Sequence, residues 1–288
     1  MLLMKEKVMH VVFALAAVTS IVAVALICVF LFASGVPAMM EVGLGNFLGG
    51  TVWKPTADIP QFGILPMIVG SIYVTAGAIV IGVPIGILTA IFLAFYCPKK
   101  LYKPLKSATD LLAGIPSVVY GFFGLVVLVP FIRENIGGRG QSILAASLLL
   151  GLMILPTIIG VSESALRAVP KPFYEGSVAL GATHEEAIFR TVLPAAKSGV
   201  MAGVILGIGR AIGETMAVIM IVGNQPRLPS SILDGVRTLT SNIVMEMSYA
   251  SGLHREMLIA TGVVLFVFIL IINILFSILK RRDKYAGS

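Results

Sequence analysis

Long apolar runs alternate with short polar stretches along this chain, and most of the charge lies between the runs. Six runs, at 9–33, 67–96, 108–132, 141–163, 198–222 and 255–279, meet the about 20 apolar residues that a helix needs to cross a bilayer. They predict six membrane-spanning helices. The first run follows Lys5 and Lys7, as the core of a signal peptide would. It is about twice the usual length of such a core and no A-x-A site follows it, so it reads as a retained anchor. Pro84, Pro116 and Pro156 interrupt hydrogen-bond ladders and predict kinks. Gly199, Gly203 and Gly207 share one helical face, as do Gly82 and Gly86. Small residues so spaced let a second helix approach closely, and ordinary bundle packing accounts for them. No internal repeat, low-complexity linker or inverted pair of broken spans stands out.

Composition turns the pattern into a class. The chain has 288 residues, 58% hydrophobic and 12% charged, with a mean hydropathy of +1.01. Soluble domains are about 25% charged, so this is an integral membrane protein and not a soluble α/β domain. The net charge of +7 invites a nucleic-acid reading, but its distribution gives a topology instead. With the N-terminus inside, fourteen Lys and Arg fall on inside segments and six on outside ones, and Arg210 is left within a run. That bias puts both termini in the cytoplasm. Cys28 and Cys97 make neither a disulfide framework nor a metal spacing. The chain divides into an N-terminal span with its outside loop (1–66), a core of five spans (67–279) and a basic tail (280–288).

Three loops are long: the outside loops at 34–66 and 223–254, and the inside loop at 164–197. The inside loop has a built look. Thr183 and Glu186 form a T-x-x-E capping box, so a helix begins at His184. Gly181 stands where a C-cap glycine would close the preceding helix. Ala187, Ile188, Thr191 and Val192 can line one face of the new helix, and Pro194 ends it. Such a helix either docks in another protein's groove or rests on lipid headgroups.

The run at 198–222 holds the sequence that lipid disfavours most, Gly209-Arg210-Ala211-Ile212-Gly213-Glu214-Thr215-Met216-Ala217-Val218. A charge at mid-membrane costs about 2.5–3.5 kcal/mol on insertion scales, so neither Arg210 nor Glu214 should face lipid. Four residues apart, they share a helical face and can pair. One reading is a self-neutralising pair that locks the bundle. The other is a guanidinium facing a pathway, its planar fork matched to a tetrahedral oxyanion. Glu214 would then restrain it so that the anion can leave, and Thr215 would add a hydroxyl donor. Ser117, beside a helix break, is a further pathway candidate. Asp110 and Glu163 read as interfacial or loop-stabilising charges, and His184 and His254 as single histidines without metal company.

These stretches resemble a known family. The loop from Glu175 to Pro194 resembles the signature of ABC-importer permeases, E-A-A-x3-G-x9-I-x-L-P. Glu175, Gly181, Leu193 and Pro194 match at the family spacing; Gly176 and Ser177 replace the two alanines, and Thr191 replaces the isoleucine. GRAIGETMAV with Gly223-Asn224 resembles the fifth helix of phosphate ABC transporter permeases. So do Ala113-Gly114-Ile115-Pro116-Ser117-Val118-Val119-Tyr120-Gly121-Phe122-Phe123-Gly124 and Phe62-Gly63-Ile64-Leu65-Pro66. Met-Ala-Val after Gly213-Glu214-Thr215 resembles the C-type of two related subunits. The resemblance covers nearly the whole chain, least of all the first span and its outside loop.

The resemblance implies an all-α polytopic protein with the type I importer permease fold, in a bacterial-type cytoplasmic (inner) membrane. It implies a second related permease subunit, two ATPase subunits that bind ATP and magnesium, and an extracytoplasmic phosphate-binding protein. Glu175, Gly181, Ala182, Thr183, Leu193 and Pro194 would then couple to the ATPase, and Arg210, Glu214 and Thr215 would line the path of phosphate under alternating access. No G-x-x-x-x-G-K-[ST] loop and no Ser/His/Asp or HExxH arrangement occurs in the sequence, so no catalytic residue, metal ligand or cofactor is assigned to this chain. The alternatives are a permease for molybdate or sulfate, an ATP-independent secondary transporter, and a membrane-embedded enzyme or sensor subunit.

Overall fold

A computed structural model gives the fold of residues 2–285, with side chains described from 8 to 275 and at 278. α1 (Leu2–Val42) leads through a short α2 (Leu44–Gly49) to a small hairpin, β1 (Trp53–Lys54) antiparallel to β2 (Gln61–Phe62). α3 (Leu65–Ile91) widens into a π-helical turn (Phe92–Tyr96) before α4 (Lys99–Gly114). Next come α5 (Ser117–Phe123), a second π turn (Gly124–Leu128), α6 (Val129–Asn135) and α7 (Ile143–Arg167). α8 (Lys171–Ala179), α9 (His184–Glu186), a third π turn (Ala187–Val192) and α10 (Leu193–Ala195) form the loop after α7. α11 (Lys197–Gly213), α12 (Met216–Ile221), α13 (Leu239–Glu246) and α14 (Gly252–Tyr285) complete the chain.

The all-α expectation holds. Among the described residues, five helical stretches are long and apolar enough to cross a membrane: Val8–Val42, Leu65–Tyr96, Ser117–Asn135, Ile143–Arg167 and Gly252–Leu275. A sixth is reached if His184–Ala195 and Lys197–Gly213, bent by 71°, form one span. Two expected spans are corrected. The run at 108–132 is not one helix, because Ile115 is extended (ψ 126°) ahead of Pro116, where the proline ring disfavours the helical conformation. Its first part belongs to α4, which has no buried residue. The run at 198–222 likewise breaks at Glu214 (φ −70°, ψ 126°), whose side chain accepts from the Ala217 amide three residues on. The break at 115–116 falls where Pro116 predicts an interruption, and the one at 214–215 had no such signal. Pro84 and Pro156 stay inside continuous helices.

α7 is the central helix, with α3 and α11 packed against it. A Cβ on Gly82 or Gly86 would lie 2.8 Å from Ile154 or 2.7 Å from Ile158. Cβ atoms on Gly199, Gly203 and Gly207 would stand 2.4, 3.1 and 2.9 Å from Ala165, Ser162 and Ile158. Both glycine faces expected to admit a neighbouring helix thus meet the same one. The start of α7 is also well satisfied: Ser142 Oγ accepts from the Ala145 amide, and the Asp234 and Ile232 carbonyls accept from those of Ile143 and Leu144. These are amides that a helix start leaves without partners. α1 packs on α14 at the edge, with Phe13, Ile21 and Val29 exposed as a lipid-facing helix requires. α14 continues to Tyr285, so the basic tail begins as helix; residues 286–288 and the tail's side chains lie outside the described residues.

Candidate functional site

Arg210 sits on the last turn of α11, half-buried, and its Nη1 lies 3.5 Å from Thr157 Oγ1 on α7. The expected Arg210–Glu214 pair does not form: no ion pair or hydrogen bond joins them among the described residues. The helix has ended before Glu214, so the four-residue spacing no longer puts both on one face. Glu214 Oε1 instead accepts from the Ala217 amide at 3.1 Å and caps α12. Thr215 donates its hydroxyl to the Gly213 carbonyl at 3.2 Å, and Thr240 donates to the Glu214 carbonyl at 3.4 Å. The face beside Arg210 is open. Leu206 and Met216 are exposed, and a Cβ on Gly209 or Gly213 would meet nothing within 4 Å. Below α12, Gly121 of α5 approaches the Ala217 backbone to 2.9 Å at its Cβ position. The helices broken at 115–116 and 214–215 therefore touch. Broken helices that leave backbone groups near the bilayer midplane are a common way to build a solute site. Ser117 opens α5 beside its break.

The loop after α7 has the shape read from its sequence. Gly181 takes φ +94°, with Gly181 N–H donating to the Val178 carbonyl and Ala182 N–H to that of Ser177. That is a Schellman close of α8. The capping box forms reciprocally: Glu186 N–H donates to Thr183 Oγ1 and Thr183 N–H to Glu186 Oε2, both at 3.2 Å. Ile188 and Val192 are buried against Ala90, Ile91 and Leu166, and Ala187 is buried as well. Thr191 is half-buried and donates to Ser177 Oγ at 3.2 Å. Ser177 and Thr191 are two of the three departures from the importer pattern, and here they bond each other. Glu175, Gly181, Thr183 and Pro194 are exposed, Ala182 and Leu193 half-buried, and Leu180 projects with 92% of its surface free. His184 is tied inward to the Tyr174 hydroxyl at 2.8 Å and edge-on to Tyr96.

Two polar clusters have no counterpart in the sequence analysis. Of the two readings of Glu163, interfacial or loop-stabilising, its contacts favour the second: its side chain is 4% exposed and it binds Tyr102, Lys106 and Arg167, the last residue before the loop. Burial would lower the Lys106 ammonium, but the hydrogen bonds and charges of Glu163 and Asp110 together outweigh it and hold the group above the ordinary lysine range. Asp110 is exposed and pairs with Lys106. At the other end of the bundle, Glu246 receives Arg237 at 2.6 Å, His254 at 2.9 Å and the Trp53 indole at 2.9 Å. Arg237 also donates to Asn242 Oδ1 and the Asn224 carbonyl. A single tryptophan in a polar loop was the one sequence signal for this cluster. No group of three or more His, Cys, Asp or Glu poised for a metal occurs among the described residues.

Comparison with known proteins bears on the same regions. The family described as binding-protein-dependent transport system inner membrane component matches residues 82–284. A probable ABC transporter permease protein, YqgH, of Bacillus subtilis is 41% identical, over 90% of this chain and 85% of its own length. The phosphate transport system permease protein PstC of Mesorhizobium japonicum is 35% identical, over 95% of this chain and 89% of its own length. Among solved structures, a bacterial ABC transporter that imports alginate aligns with a TM-score of 0.64 at 16% identity, covering 93% of this chain and 95% of that one. The MetNI methionine ABC transporter aligns with a TM-score of 0.61 at 20% identity, covering 76% and 95%. At these identities the structural matches establish the fold, that of type I importer permeases.

Proposed function

The chain belongs to the binding-protein-dependent transport system inner membrane component family, and from that membership we propose that it is the permease subunit of an ATP-driven phosphate importer. The observation that carries this reading is Arg210, a guanidinium at the end of α11, beside a helix break and on an open face. Relatives named as phosphate permeases support the choice of anion. Two oxygens of a tetrahedral oxyanion fit the guanidinium fork, as they would not fit an ammonium. Glu214 caps α12, so the Arg210 charge is free to attract the anion. Release then comes from movement of the two broken helices rather than from a neighbouring carboxylate.

A second, related permease subunit would cover the open face. Two ATPase subunits, which bind ATP and magnesium, would dock on the loop carrying Glu175, Gly181, Ala182, Thr183, Leu193 and Pro194. An extracytoplasmic phosphate-binding protein would deliver the solute at the opposite end. By the charge bias both termini are cytoplasmic. ATP binding closes the ATPase pair, the loop transmits the movement, and the cavity opens outward beside Arg210; hydrolysis resets it.

Uptake of labelled phosphate into cells carrying Arg210→Ala, with co-purification of the complex, tests this. Loss of a charge-assisted contact is expected to lower uptake by about 10- to 100-fold with assembly intact. Near-normal uptake would remove Arg210 from the pathway. Competition by sulfate or molybdate as effective as that by phosphate would reassign the anion.

A further inference from the structure

Glu163 is a buried carboxylate that the pathway and the docking loop leave unused. Its Oε1 accepts from the Tyr102 hydroxyl at 2.7 Å and from Arg167 Nε at 2.9 Å; its Oε2 lies 3.3 Å from Lys106 Nζ. Arg167 Nη2 in turn donates to the Leu93 carbonyl at 2.8 Å, in the π turn that ends α3. The guanidinium also lies 4.7 Å from the centre of the Tyr102 ring. One carboxylate thereby joins α4, α7 and the end of α3.

Stability alone is a poor reason for this arrangement. Burying charges costs free energy that well-packed apolar side chains would avoid, and buried ionic groups are better explained by fixing one geometry. The geometry at stake is that of α4. None of its residues is buried; this cluster ties its first half to α7, while near its end the Tyr120 hydroxyl of α5 donates to the Leu112 carbonyl at 2.9 Å. Two functional regions lie at the ends of the connection. Arg167 is the last residue of α7, directly before the docking loop. α4 finishes at Gly114, directly before the break at 115–116. Between the loop and the bundle lies a cavity of about 510 Å³ lined by Arg167, Tyr174, Glu175 and His184. Beside that cavity Ile188 and Val192 of the loop pack on Ala90, Ile91 and Leu166, and Arg167, at the foot of the loop, is held by Glu163 and the Leu93 carbonyl.

We propose that Glu163 is a positioning residue that yokes α4 to α7, so that displacement of the docking loop reaches the break at 115–116. The proposal rests on the ATP-driven transport reading for its purpose and on the cluster for its mechanics. The two can be tested apart. Spin labels are placed at Lys100→Cys on α4 and Gly176→Cys in the loop, with Cys28 and Cys97 replaced by serine. The assembled complex is reconstituted in proteoliposomes, and label distance, ATP hydrolysis and phosphate uptake are read together. In the otherwise wild-type complex the labels should keep their separation when nucleotide is trapped. In Glu163→Gln they should part, and uptake per ATP should fall by about tenfold, within the usual range of coupling between sites, while hydrolysis persists. Glu163→Asp should recover most of the lost coupling. Label distances and uptake per ATP that are unchanged in Glu163→Gln overturn the proposal. If that variant does not assemble, Tyr102→Phe with Lys106→Gln removes the α4 side of the cluster and decides by the same readouts. If the wild-type complex takes up no phosphate yet the labels part in Glu163→Gln, the phosphate reading falls and the yoke stands.

Discussion

The hydroxyls of Ser177 and Thr191 meet at 3.2 Å across the loop after α7, although each alone looked like a departure from the importer pattern. An alanine and an isoleucine would meet there by packing alone. The pair replaces that contact with a hydrogen bond, and both residues are half-buried. Removing one hydroxyl leaves the other with a lost partner. Ser177→Ala and Thr191→Val are each expected to cost about 0.5–1.5 kcal/mol. The double substitution removes both polar groups together and should cost less than the two single costs added. A double-mutant cycle on thermal unfolding of the purified protein measures the difference; strict additivity would mean that the hydroxyls do not interact. Arg210 teaches the complementary lesson at the same scale. Its presence inside an apolar run was visible from the sequence, but its partner was misread. A glutamate four residues on satisfies the helix-pair spacing and equally the spacing from a helix end, and only the backbone at Glu214 decides between them.

Among the elements, α7 shows best what spacing can reveal. The glycine faces on α3 and α11 were legible because helical periodicity acts over a few residues, and both faces do meet α7. Gly203→Leu would drive a side chain into Ser162 and Val161, each 3.1 Å from its Cβ position. Overpacking of this kind costs about 1–3 kcal/mol. Gly209→Ala, which points into open space, should be neutral or slightly stabilising through its gain in helix propensity. Comparing the two melting temperatures in one detergent checks the assignment of faces, and equal effects would contradict it. The loop was legible for the same local reason: its capping box and glycine close use residues three to five apart. Helix breaks were less so. Apolar residues flank both 115–116 and 214–215, so each run reads as one span and the hydrophobic signal does not register the change in backbone direction. Pro116 offered a local warning through its effect on Ile115; Glu214 offered none that differed from an ordinary helical charge. The Glu163 cluster lay further out of reach, since it brings together side chains 61 positions apart.

Over the whole molecule, the outer cluster closes the longest of these connections. Trp53 and Glu246 are 193 positions apart, and one carboxylate gathers the first outer loop, the end of α13 and the start of α14. Arg237, Glu246 and His254 side chains are 12%, 9% and 10% exposed, so water screens them little. The first span and its loop gave the weakest family resemblance, yet this contact fixes them to the core. Glu246→Ala would leave the Arg237 charge without its carboxylate partner. Breaking a buried pair from one side typically costs about 3–5 kcal/mol, largely because the remaining charge stays desolvated. The same substitution removes the acceptor of the Trp53 indole. Trp53 is the single tryptophan of the chain, so its emission reports this site alone. The expected result is a red-shifted emission and a lower melting temperature in Glu246→Ala, with Glu246→Gln intermediate because its amide oxygen can still accept from Trp53. An unshifted emission would mean that the outer loop is seated by the packing of Trp53 against Phe62 and His254. The ionic cluster would then fix α13 and α14 without holding the first outer loop.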